Sequence, residues 1–147
     1  MTTPNSTHKQ PPTDALRSIG IFADLREDQL QWFASNTQEH TFAAGDVLLH
    51  EGDPADTLYV LLEGEIRGRA ESGAKDAPGF VVRSGQVTGL LPFSRMTRIL
   101  MTARTTAPSW ILGLHKDHFQ EMIQRIPELL PRLIGVMADR IREYSRA

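Results

Sequence analysis

Between residues 47 and 114, short β-rich runs alternate with glycine-bearing turns at intervals of about ten residues, a spacing that suits an all-β roll, sandwich or barrel. Val47, Leu48 and Leu49 make the first run, ended by the turn Glu51-Gly52-Asp53-Pro54. Leu58-Tyr59-Val60-Leu61-Leu62 follows and halts at Glu63-Gly64-Glu65. A weaker run covers 66–70, and the stretch SGAKDAPG at 72–79 reads as a hairpin loop. Phe80-Val81-Val82, a Ser84-Gly85 turn and Trp110-Ile111-Leu112-Gly113-Leu114 complete the series.

Helical periods flank this β region. Residues 1–13 carry three prolines and no bulky apolar side chain beyond Met1, so they are expected to be a disordered leader. A single domain is expected over 14–147. Thr13 offers an N-cap ahead of Leu16, Ile19 and Phe22, and Asp24 with Glu27 offers a capping box ahead of Leu25, Leu30, Trp32 and Phe33. Near the C-terminus, Phe119, Met122, Ile123 and Ile126 sit at helical spacing as far as Pro127. Leu130, Leu133, Ile134, Met137, Ile141 and Tyr144 then mark one stripe of a longer helix, with Arg132, Asp139, Arg140, Arg142 and Glu143 mostly on its other side. Pro127 suits a first helical position, and Pro131 fits only within a first turn. The stripe has two readings: contact with a second copy of the chain as a homodimer, or packing on the chain's own roll.

Composition narrows the function classes. The 147 residues are 40% hydrophobic, which is enough for one core, and 16 basic against 18 acidic side chains give a net charge of −2. That balance argues against a dedicated DNA binder, and no direct DNA binding is expected. No stretch is apolar enough to span a membrane. The absence of cysteine removes disulfides and thiolate metal sites and points to a cytoplasmic location. Of five histidines only His115 and His118 lie close together, no nucleophile elbow or Walker loop occurs, and no metal site or catalysis is expected.

Two blocks carry a recognisable pattern. Phe42-Ala43-Ala44-Gly45-Asp46, then Glu51-Gly52-Asp53-Pro54-Ala55-Asp56, is followed by Leu58-Tyr59 and the closing Gly64-Glu65. This resembles the first half of cyclic nucleotide-binding domains, as in catabolite-activator-type regulators and kinase regulatory subunits. Ile21-Phe22-Ala23-Asp24-Leu25 is similar to the family's helical lead-in. The resemblance implies a double-stranded β-helix, a jelly-roll-like β roll, with short N-terminal helices and two C-terminal helices. Asp53 and Asp56 read as turn residues that bond backbone amides.

The resemblance implies a site in the stretch Gly85-Gln86-Val87-Thr88-Gly89-Leu90-Leu91-Pro92-Phe93-Ser94-Arg95-Met96-Thr97-Arg98. In the family a Gly-Glu pair opens a short helix whose amides receive the phosphate. The Glu takes the ribose hydroxyl, and a later Arg pairs with the phosphate. Here Leu90 stands at the Glu position, and the usual Arg position falls near Ile99. The stretch between Asp76 and Asp117 holds no acid, yet it contains Arg83, Arg95, Arg98, Arg104 and Lys116, with hydroxyls at Thr88, Ser94, Thr97, Thr102, Thr105 and Thr106. One reading is a basic surface paired with acids elsewhere. The other is a remodelled pocket for an anionic small molecule or nucleotide, a cyclic nucleotide among the candidates, formed by Gly89, Leu90, Leu91, Pro92, Ser94, Arg95, Thr97 and Arg98. In that pocket Gly89 allows backbone approach, Pro92 stiffens the loop, Ser94 offers a hydroxyl, and Arg95 ahead of Arg98 is the charged partner.

The function expected is regulatory ligand sensing, with the C-terminal helices signalling to a partner subunit or an effector domain beyond residue 147. The alternative is a degenerate relative that has lost its ligand and serves in dimerisation or docking.

Overall fold

A computed structural model describes residues 10–71 and 79–146, without the side chains of residues 137 and 140–146. Helices α1 (Pro12–Arg17) and α2 (Glu27–Asn36) lead into eight strands: β1 (Gln38–Phe42), β2 (Val47–Leu49), β3 (Thr57–Glu63), β4 (Glu65–Arg69), β5 (Phe80–Arg83), β6 (Val87–Gly89), β7 (Thr102–Thr105) and β8 (Ser109–His115). A 3-10 turn at Lys116–His118 leads into α3 (Phe119–Arg125) and α4 (Leu129–Arg146). The strands form two four-stranded antiparallel sheets, ordered β1-β8-β3-β6 and β2-β7-β4-β5. The expected mainly β fold with flanking helices is the observed one.

The alternation of β3 explains how the layers stack. Leu58, Val60 and Leu62 point to one face and pack with Trp110, Leu112 and Leu114 of β8 against Leu16, Phe22, Leu30, Phe33, Met122, Ile126, Leu129 and Leu133. Leu61 points the other way, as does Ile111 of β8, and both meet Leu49, Ile66, Val82, Leu90, Ile99 and Ala103 between the sheets. The central strands β3 and β8 of the first sheet are therefore buried on both faces, helices on one side and the second sheet on the other. A strand in that position reads as a continuous apolar run rather than an alternating one.

Several local expectations change. α1 begins at Pro12, with Pro11 as N-cap, so the stretch expected to be disordered is already helical over its last two residues; residues 1–9 lie outside the described part. Thr13 is therefore inside the helix rather than capping it. Asp24 does not cap α2: the cap is Arg26, whose amide donates to Gln29 Oε1 at 3.0 Å. Pro127 precedes α4, whereas Pro131 is the third residue of that helix, where the missing N–H would have no intrahelical acceptor anyway. On α4 the buried line is Leu129 and Leu133 with Val136 beside it, while Ile134 is 48% exposed. The remainder of the predicted stripe, at Met137, Ile141 and Tyr144, lies outside the described side chains.

Polar contacts fasten α4 to the N-terminal helices. Arg132 Nη1 donates to the Ile21 carbonyl at 2.7 Å, and its two Nη atoms donate to the Asp24 carboxylate at 2.7 and 3.0 Å. The guanidinium holds the Asp24 carboxyl below its ordinary pKa. Gln29 Nε2 donates to the Arg125 carbonyl and the Glu128 carboxylate, both at 3.2 Å.

Candidate functional site

The segment between β6 and β7 positions the site. At its start Gly89 has φ +82°, and an added Cβ would lie 2.3 Å from the Thr57 carbonyl oxygen. That carbonyl accepts the Leu90 amide at 2.9 Å, so the backbone here is pressed onto β3. Leu90 and Leu91 then turn into the protein, 7% and 3% exposed, Leu90 between the sheets and Leu91 in the helix-side core.

A tight turn follows, in which the Ser94 amide donates to the Leu91 carbonyl at 3.1 Å. Pro92 and Phe93 are its central residues. Proline first and a positive φ second is the pattern of a type II turn, which normally takes glycine second. Phe93 occupies that place with φ 63° and is 76% exposed. A bulky residue there is a strained backbone position. No helix forms in residues 90–101, so the segment does not present the helix N-terminus that the family pattern implies for a phosphate.

The rest of the loop is stitched to the turn at 51–56. The Ile99 amide donates to the Asp53 carbonyl and its carbonyl accepts the Gly52 amide, both at 2.8 Å. The Ala55 amide donates to the Thr97 carbonyl at 3.0 Å, and Arg98 Nη1 donates to the Gly52 carbonyl at 3.0 Å. Among the described residues neither the Asp53 nor the Asp56 carboxylate accepts a backbone amide as expected; Asp56 Oδ1 accepts from the Thr57 hydroxyl at 2.8 Å.

Beneath this loop lies a cavity of about 160 Å³ lined by Leu49, Phe80, Thr88, Gly89, Met96, Ile99, Leu100 and Met101. Leu100 is at once a lining residue and 69% exposed. Thr88 carries the only hydroxyl in the lining. It is 4% exposed, and that hydroxyl has no hydrogen-bond partner among the described residues. Tyr59 packs beside Gly89, and burial pushes its phenol up, keeping it neutral.

Of the eight residues singled out in the sequence, only Gly89 lines this cavity. Leu90, Leu91 and Pro92 are buried in the fold. Ser94 Oγ accepts the Met96 amide at 3.1 Å and so shapes the loop. Thr97 and Arg98 are exposed and tied to the 52–55 turn. Arg95 is exposed and has no hydrogen-bond or ion-pair partner among the described residues. Arg95 and Arg98 thus face outward, and the cavity lining carries no charge.

The acid-free stretch obtains acids from outside itself: Arg83 lies 4.0 Å from Glu65, and Arg104 lies 3.8 Å from Glu71. The hydroxyls of Thr102, Thr105 and Thr106 hold the sheet, meeting the Glu51 amide, the Ala43 carbonyl and the Glu65 carboxylate. The lining residues Met96, Leu100 and Met101 are not among the residues singled out from the sequence, and Ile99 is singled out there only as lying near the family's Arg position. Their signal was an apolar Ile-Leu-Met run in an otherwise polar loop.

The sequence model of the Cyclic nucleotide-binding domain matches residues 39–126, the span from β1 through α3. An uncharacterized NTE family protein of Mycobacterium tuberculosis is 27% identical over 150 residues, covering 100% of this chain and 25% of that protein. The cAMP-activated global transcriptional regulator CRP of Salmonella typhimurium is 25% identical over 118 residues, 79% of this chain and 56% of that one. The chain thus spans a quarter of the mycobacterial relative and about half of the regulator. Among solved structures, the N-terminal domain of a transcriptional regulator from Streptomyces coelicolor superposes with a TM-score of 0.64 at 29% identity, covering 90% of this chain and 94% of that one. With that match running through both sheets and the loop just described, the chain belongs to the cyclic nucleotide-binding domain family.

Proposed function

We propose that this chain is a regulatory, non-catalytic ligand-sensing domain whose ligand engages the loop at 89–101 and whose output passes through α3 and α4. The observation that carries the reading is the cavity of about 160 Å³ under that loop, on the side of the first sheet opposite the helices. β3 and β8 place residues in both cores, so strain at the cavity is transmitted to the helix-side core by the same strands. A ligand shifts the helices only by its difference in affinity between two helix arrangements.

Arg95, exposed and unpartnered among the described residues, is the cation available to an anionic group at the loop's outer side. Arg98 serves second, since one of its nitrogens already holds the Gly52 carbonyl. The rim therefore suits an anionic small molecule or nucleotide. Because the relatives are longer, an effector domain beyond residue 147, action as a homodimer through α4 and a cytoplasmic setting belong to the same proposal. No helix among the described residues is long and apolar enough to cross a membrane.

Calorimetric titration and thermal shift with cyclic AMP, cyclic GMP and a cyclic dinucleotide test the reading. An anionic ligand at 100 times its Kd is expected to stabilise the domain by about 2.7 kcal/mol. Arg95→Ala is expected to weaken that ligand by about tenfold, the loss of one charge-assisted contact. Binding that Arg95→Ala leaves unchanged removes Arg95 from the site, and no stabilisation by any of the three counts for the docking alternative.

A further inference from the structure

We infer that the cavity under the 89–101 loop receives an uncharged apolar group of about benzene size bearing one hydrogen-bonding atom, and that a cyclic nucleotide does not seat its phosphoribose there. This rests on the sensing reading above and specifies which part of a ligand the interior takes.

Leu90 stands where the family pattern places a ribose-binding carboxylate, and Ile99 lies near where it places a phosphate-binding guanidinium; each is 7% exposed and in the same inter-sheet cluster. Ile99 lines the cavity with Leu49, Phe80, Met96, Leu100, Met101 and the Gly89 backbone, while Leu90 packs beside it in that cluster. An anion seated against such side chains gives up part of its hydration and gains no counter-charge there. Its volume of about 160 Å³ is that of an apolar cavity that admits benzene, and it is partly open to solvent, with Leu100 in its lining 69% exposed. Methionine is unbranched and adaptable, so Met96 and Met101 conform to an occupant of irregular outline. The Thr88 hydroxyl is the exception. It is buried, in the lining, and without a partner among the described residues, and such a group is normally satisfied in a native protein. A single polar atom on the occupant would satisfy it.

The test uses the whole chain with labelled methyl groups on Leu49, Met96, Ile99, Leu100 and Met101, titrated separately with benzene, phenol and cyclic AMP. Benzene and phenol are expected to shift these methyls saturably. Thr88→Val is expected to weaken phenol about fivefold, the value of one net hydrogen bond, and to leave benzene unchanged. Met96→Trp, which fills the cavity, is expected to abolish both; unaltered methyl shifts at Leu112 and Leu133 verify that this variant is folded, and Met96→Phe serves should it not be. Failure of both probes to move the lining methyls overturns the inference. Cyclic AMP shifting those methyls also overturns it, but leaves the sensing reading standing. Cavity binding of benzene and phenol with no response in α3 or α4 upholds the inference and counts against the sensing reading.

Discussion

Replacing Gly89 by alanine is expected to destabilise the domain by about 2–4 kcal/mol and lower its Tm by about 6–12 °C. Two costs combine. A φ of +82° disfavours any Cβ, and the new atom would meet the Thr57 carbonyl oxygen at 2.3 Å and the Tyr59 ring at 2.9 Å. Relief requires backbone movement that lengthens the 2.9 Å bond from the Leu90 amide to that carbonyl. Gly45→Ala separates the two effects, because Gly45 has φ +93° but nothing within 4 Å of an added Cβ. It is expected to cost only about 1–2 kcal/mol. Equal losses in the two variants, measured by urea unfolding, would contradict the close approach of β6 to β3. The same contact sets the floor of the cavity, so Gly89→Ala is also expected to change the environment of Met96 and Ile99.

Trp110→Ala is expected to cost about 3–5 kcal/mol, the range for emptying a fully buried aromatic site, with a Tm lower by about 10–15 °C. Trp110 is 0% exposed on the central strand β8, which pairs with both β1 and β3. Its indole Nε1 donates to Glu39 Oε2 at 2.6 Å, fixing the edge strand β1 from the side. Trp110→Phe retains most of the ring and removes that bond, for an expected loss of about 1–2 kcal/mol. Urea midpoints with unchanged m-values check both figures. A loss under 1 kcal/mol for Trp110→Ala would mean that the helix-side core does not depend on β8.

These two residues also mark what could be read in the sequence. The run 58–62 and the run 110–114 announced themselves because both faces are covered, and a doubly buried strand needs apolar residues throughout. β1, β6 and β7 were not recognised. β1 reads Gln-Glu-His-Thr-Phe and lies at a sheet edge with no buried residue. β7 reads Thr-Ala-Arg-Thr, and its threonines are buried because they serve backbone groups of the turns at 43–46 and 51, not because they are apolar. Hydroxyls fulfilling that role look, in sequence, like ligand donors.

The β6–β7 segment stands out in the sequence, but the lining of the pocket beneath it does not. The glycine turns and the family pattern led to the β6–β7 segment, and Leu90 and Ile99 were visible there in place of polar residues. The nearby arginines then suggested a cationic pocket. Their direction depends on the loop's hydrogen bonds to the 52–55 turn, which exchange side-chain orientations within a few residues and leave no periodic trace. An arginine beside a cavity in sequence can therefore point away from it, as Arg95 and Arg98 do, while the intervening Met96 points in.

The central claim is that the pocket under the 89–101 loop is lined by apolar side chains in place of charged ones. A crystal of the full chain pressurised with xenon tests it most directly, since xenon binds against apolar side chains in cavities of this size. An anomalous peak among Leu49, Phe80, Ile99 and Met101 is the predicted result. An ordered water network or a bound anion at that position, with no xenon, would contradict it.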